Sequence, residues 1–177
     1  MTFPPTVRKA VLTAHVVTSV GWLGSVVAYL VLDLTAVTSA DPDLSRVAFV
    51  AMELVVVSAV VPLALASVVI GVINALGTSW GLFRHWWVVV KLLLTTVATV
   101  VLLLQVPGIR SMAEAARSGA DPGELPGTLA HSIGGLLVLV LVTVLSTYKP
   151  RGLTRYGWRR QQAERDGRRG EPAAAQP

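Results

Sequence analysis

Apolar residues gather along this chain in four long runs: Ala10 to Leu32, Val47 to Ile73, Trp86 to Leu104 and Leu129 to Tyr148. At about 1.5 Å per residue each is long enough, or nearly so, to cross the roughly 30 Å hydrocarbon core of a bilayer as an α-helix. None is uniformly apolar. In the first run His15, Thr18, Ser19, Trp22, Ser25, Tyr29 and, just past its end, Asp33 fall on one stripe at about 100° per residue, and the other faces are Val, Leu and Ala. That pattern predicts helices with a lipid-facing side and a side turned to protein, water or ligand.

The connections carry their own signals. Asp41, Pro42 and Asp43 lead to Ser45, a suitable N-cap for the second helix, and Pro62 should kink that helix at its centre. Glu53 shares a projected face with Arg46, Ala64, Ser67, Gly71 and Asn74. A turn over residues 77–81 precedes Phe83-Arg84-His85-Trp86-Trp87, which has the composition of an interfacial anchor, and Lys91 lies inside the third run. Arg84, Trp87, Lys91, Thr95, Thr99 and Gln105 form its polar stripe. Pro107 to Pro126 is polar, with a short surface helix expected around Ile109 to Ser118. His131 falls in the first turn of the fourth run, and Lys149-Pro150-Arg151-Gly152 ends it.

Composition agrees with the pattern. Of 177 residues 53% are apolar and only 14% charged, against about a quarter charged in soluble domains. The absence of cysteine excludes disulfides, thiolate metal sites and thioether-linked haem. The net charge of +5 sits at span ends and in the tail, with no aromatic-interleaved groove, which points to anionic lipid and not to nucleic acid. Thr38-Ser39-Ala40 resembles a leader cleavage site, but the first run exceeds the about 7–15 apolar residues of a leader and carries an organised stripe, so it is expected to be retained. The expected fold is therefore all-α, a four-span polytopic membrane bundle over residues 1–158 with both termini on one side. The basic tail, 159–177, has too little apolar surface to pack and is expected to be disordered.

With four spans, eleven of the fifteen basic residues lie on the side of the termini, three (Arg46, Arg110 and Arg117) lie on the other, and Lys91 is within a span. By the excess of Lys and Arg on cytoplasmic loops, both termini face the cytoplasm of a cell that holds the chain in its inner (plasma) membrane.

Depth decides which polar residues can meet. His15 and Lys91 both lie about 7–8 Å below the cytoplasmic face and can form one inner layer with Trp22 and Trp87. Glu53, at about 9 Å from the opposite face, His131, at about 3 Å, and Asp33 at its mouth make an outer group. His15 and His131 are about 20 Å apart along the bundle, too far to be the two axial ligands of one haem. His85 projects about 120° from Lys91.

A neutral imidazole at His15 suits haem iron, copper or a proton relay; a hydrogen bond across helices is the plain structural alternative. Lys91 has snorkelling as its alternative. Glu53 has an ion pair with Arg46 or a bond to His131. A hydrolase is unsupported, because no G-x-S-x-G is present and His131-Ser132 has no triad partner.

His15, Trp22 and Gly24 in the first run, with Trp87 and Lys91 in the third, resemble small bacterial multi-helix membrane families. The resemblance is to an uncharacterised predicted integral membrane family of actinobacteria and, more distantly, to copper resistance protein D and the HemJ-type membrane proteins. The HemJ-type resemblance implies haem b at His15. The expected function is a membrane protein whose His15 holds haem or a metal for redox or proton chemistry. The alternatives are copper or proton-coupled solute transport, which favours a homo-oligomer, and a structural membrane subunit.

Overall fold

A computed structural model describes residues 3–77, 82–148, 152–159 and 161–162. Five α-helices carry the fold: α1 Pro5–Thr38, α2 Pro42–Val55, α3 Val61–Leu76, α4 Trp86–Arg117 and α5 Leu129–Tyr148. One π-helical turn, Val56–Val60, joins α2 to α3, so α1, α2 with α3, α4 and α5 make four rods long and apolar enough to cross a membrane. No strand occurs among the described residues. Phe3 N–H donates to the Gly77 carbonyl (3.1 Å), and Thr154 N–H to the Arg84 carbonyl (3.1 Å), so both described ends of the chain meet at one end of the bundle.

The second rod starts a turn before Ser45. Asp41 caps it, its Oδ1 accepting from the Asp43 N–H at 3.0 Å, with Pro42 in the first turn, where a missing N–H costs nothing. Ser45 is buried inside the helix. Pro62 has no N–H to offer the Ser58 carbonyl four residues back, and the helix widens into the π turn just before it.

The third rod also differs from its expected extent. The surface helix expected around Ile109 to Ser118 is the continuation of α4, which runs through Pro107 to Arg117. Ile109, Met112, Ala113 and Ala116 are buried there, and α4 packs on α2 over this stretch; this packing offsets the one backbone bond Pro107 removes. Gly119 ends α4 at φ +87°, in the left-handed region that favours glycine. Its N–H donates to the Ala116 carbonyl and the Ala120 N–H to the Ala115 carbonyl, the paired bonds of a Schellman stop.

The core runs along the stripe side of α1. Trp22, Val26 and Tyr29 pack with Phe49, Met52 and Val56 of the second rod, and Leu139 of α5 closes them. Most other large apolar side chains face outward, among them Val16, Val20, Leu54, Leu104 and Leu137, as expected where lipid is the solvent. At the end where Phe3 meets Gly77, residues 152–154 fold back on the start of α4. Leu153 bridges to His85, and the Thr154 hydroxyl donates to the Phe83 carbonyl. Residues 155–159 then form a helical turn, and most of the tail expected to be disordered lies outside the described residues.

Candidate functional site

A cavity of about 770 Å³ opens between α1, α3, α4 and α5, toward the end at which α1 and α4 start. His15, Trp22, Trp87 and Lys91 all line it. Their elements explain why they meet. His15 and Trp22 lie two turns apart on the α1 stripe, Trp87 and Lys91 lie one turn apart on α4, and both helices start from the same end of the bundle. Lys91 Nζ stands 5.1 Å from the centre of the Trp87 ring, a cation–π distance. The Lys91 carbonyl accepts from the Thr95 hydroxyl at 2.8 Å. His85, whose ring centre is 6.2 Å from that of Trp87, does not line the cavity.

The α3 wall was hidden from the sequence. Ser67, Gly71 and Asn74 project onto the Glu53 face if the second rod is read as one regular helix. In the fold they face His15, and Glu53 lines a different groove. A π turn inserts one extra residue, which rotates every later position by about 100°. Ser19 and Ser67 share a hydrogen bond at 2.8 Å across α1 and α3. The missing side chain of Gly71 leaves room for the ring: a Cβ there would stand 2.9 Å from His15 Cε1 and 3.5 Å from Nδ1. Nδ1 is buried and has no hydrogen-bond partner among the described residues.

The lining is one-sided in charge. Arg8, His15 and Lys91 are its ionisable residues, and among the described residues no Asp or Glu reaches it. Hydroxyls of Ser19, Ser67, Thr95 and Thr143 add neutral donors and acceptors, and Leu, Val and Trp supply the rest. Such a lining is complementary in charge to an anionic group and in polarity to an apolar or aromatic body.

The three residues of the expected outer group do not converge. Asp33 is fully buried and belongs to an α1–α5 network. Its carboxylate accepts from the Ser132 hydroxyl (2.7 Å), the Thr128 hydroxyl (2.8 Å) and the Thr128 N–H (3.4 Å). Because the Thr128 proton goes to Asp33, the Tyr29 hydroxyl donates to Thr128 Oγ1, at 2.7 Å. Thr128 precedes α5 and its carbonyl accepts the first helical N–H groups, so Asp33 acts as a capping anion supplied by another helix. Glu53 pairs with Arg117 of α4, neither Arg46 nor His131 being its partner. Arg46 bonds Asp43 at 2.7 Å and the Ala120 carbonyl at 3.2 Å. His131 is exposed on the outer side of α5.

Among the described residues no three His, Asp or Glu side chains are grouped to hold a metal ion. Compared with family models, with curated proteins and with solved structures, the chain matches none.

Proposed function

We propose that this chain is a multi-pass inner-membrane protein, both termini cytoplasmic, that binds a flat anionic amphiphile in the basic cavity, with haem b as the redox-active member of that class. The supporting observation is that His15, Trp22, Trp87 and Lys91 line one cavity whose ionisable lining is wholly basic. A volume of about 770 Å³ lies within the usual span of roughly 300–1,000 Å³ for small-molecule and cofactor sites.

The residues fit haem in charge and in offering one nitrogen ligand. Lys91 and Arg8 would suit its carboxylates, the Trp87 and Trp22 rings its planar body, and His15 would offer the iron a nitrogen. Bound there, the group would supply one-electron chemistry; the chain's own part is to hold it, exclude water and fix its edge against Lys91. Ligation through Nε2 puts the proton on Nδ1, and a ligating histidine normally donates that proton to an acceptor. Nδ1 is buried without a hydrogen-bond partner among the described residues, so holding the group through Nε2 would require an acceptor for that proton. Transport between an outer and an inner layer draws less support, since Glu53 lines a groove, Asp33 is buried in the α1–α5 network and His131 is exposed on α5.

The test is the optical spectrum of protein purified from haem-replete cells. A Soret band that His15→Ala abolishes and Lys91→Gln weakens supports haem. A colourless protein whose tryptophan fluorescence is nonetheless quenched by added protoporphyrin or another anionic ring supports the wider class. No band and no quenching overturns the reading.

A further inference from the structure

At the opposite end of the bundle, a groove of about 910 Å³ runs between α2, the π turn and the last turns of α4. All three basic residues of that end, Arg46, Arg110 and Arg117, line it. Two are already engaged, Arg46 with Asp43 and Arg117 with Glu53. Arg110 makes no hydrogen bond or ion pair among the described residues, and neither does the Glu114 carboxylate one turn later, although both border the same groove. An Arg followed by Glu at i+4 is the weaker order for pairing within a helix, because each charge opposes the helix dipole. The two therefore present a cation and an anion side by side, their Cβ atoms about 5–6 Å apart.

Below this charged rim the groove is apolar. From Arg46 to Ser58 it follows the second rod for about 18 Å, more than half of a hydrocarbon core of roughly 30 Å. Val47, Val50, Leu54 and Val57 form the track, and Val47 and Leu54 are exposed to it and to lipid. A dipolar rim over an apolar track that descends into the membrane is the outline of a single phospholipid.

We propose that this groove is a binding site for a phospholipid with a primary-amine headgroup, its phosphate on the Arg110 guanidinium, its ammonium on the Glu114 carboxylate and one acyl chain along Val50, Leu54 and Val57. The guanidinium fork matches phosphate oxygens, and a carboxylate accepts N–H bonds from a primary ammonium that a quaternary one cannot donate. A headgroup without a cation leaves Glu114 facing a second anion. Discrimination thus comes from Glu114 and retention from Arg110.

The test reconstitutes the full chain in nanodiscs of equal phosphatidylethanolamine, phosphatidylcholine and phosphatidylglycerol, extracts it in mild detergent and weighs the retained lipids by native mass spectrometry. The wild type should keep phosphatidylethanolamine in excess. Arg110→Gln should lower its retention about tenfold, the loss of one charge-assisted contact. Glu114→Gln should keep lipid but shift the preference toward phosphatidylglycerol. Leu54→Trp, which narrows the track, should reduce retention of all three. Both rim residues are exposed, and helical circular dichroism of each variant confirms folding. Phosphatidylglycerol held at the basic tail is common to every variant and cancels in the comparison. No excess of phosphatidylethanolamine in the wild type, or a preference unmoved by Glu114→Gln, overturns the proposal.

Discussion

The His15 ring occupies the space that a side chain at position 71 would need. With Cε1 2.9 Å from where the Gly71 Cβ would stand, the imidazole is seated against the α3 backbone itself. Gly71→Ala should therefore displace the ring. The substitution gains about 0.5–1 kcal/mol of helix entropy and costs about 1–3 kcal/mol of overpacking, so thermal stability in detergent should fall modestly. Binding in the cavity should fall more. Gly24→Ala is the control: nothing lies within 4 Å of its Cβ, and it should be neutral or slightly stabilising. Equal behaviour of the two variants would show that the contact has no consequence.

Lys91 should set affinity for anionic ligands more than it sets stability. Its ammonium stands over the Trp87 ring, and both side chains line the cavity. Loss of one charge-assisted contact is worth about 1.5–3 kcal/mol, roughly 10- to 100-fold in Kd. Lys91→Gln should weaken quenching by an anionic ring ligand within that range, and Lys91→Arg should retain most of it. A neutral analogue of the same ring should not distinguish the variants.

The buried Asp33 should be the most sensitive polar position for folding. Asp33→Ala leaves two hydroxyls and one N–H without their acceptor at the start of α5, and should cost about 3 kcal/mol or more. Asp33→Asn keeps the shape and one acceptor oxygen and should cost less. Tyr29→Phe removes a single bond and should cost about 1 kcal/mol. Unfolding in mixed micelles ranks the three; an unchanged midpoint for Asp33→Ala would contradict the network.

Glu53 should matter little to stability. Its partner Arg117 is half exposed, and such pairs contribute about 0–1 kcal/mol. Glu53→Gln should leave the unfolding midpoint almost where it is. A fall comparable to that of Asp33→Ala would mean that the pair carries more than a surface ion pair does.

The span pattern was legible because a bilayer tolerates only helices or closed barrels, and no other use of four such runs satisfies the backbone. The α1 stripe was legible for the same reason: on an unbroken helix, spacing alone assigns each residue to a face. It carries His15 and Trp22 into the cavity, Ser19 onto Ser67 and Asp33 onto the start of α5. Projection failed where the helix was not regular. Pro62 announced a disturbance, but not that it would be an inserted residue; that residue moved Ser67, Gly71 and Asn74 from the Glu53 face to the His15 face. Proline also misled at position 107, where packing of Ile109 and Met112 holds the helix through it.

What the chain by itself determined, then, is its solvent and its spans: four apolar rods, and the residues that ride on the stripe of α1. Only the tertiary structure decided which rods face one another across a polar side chain. Asp33 chose Thr128 and Ser132 over its neighbours, and Glu53 chose Arg117, some sixty residues on, over Arg46. Hydrophobicity is a sum over local segments and survives any rearrangement of them, whereas a hydrogen bond depends on the rotation of two helices to within part of a turn, and one π turn is enough to change it.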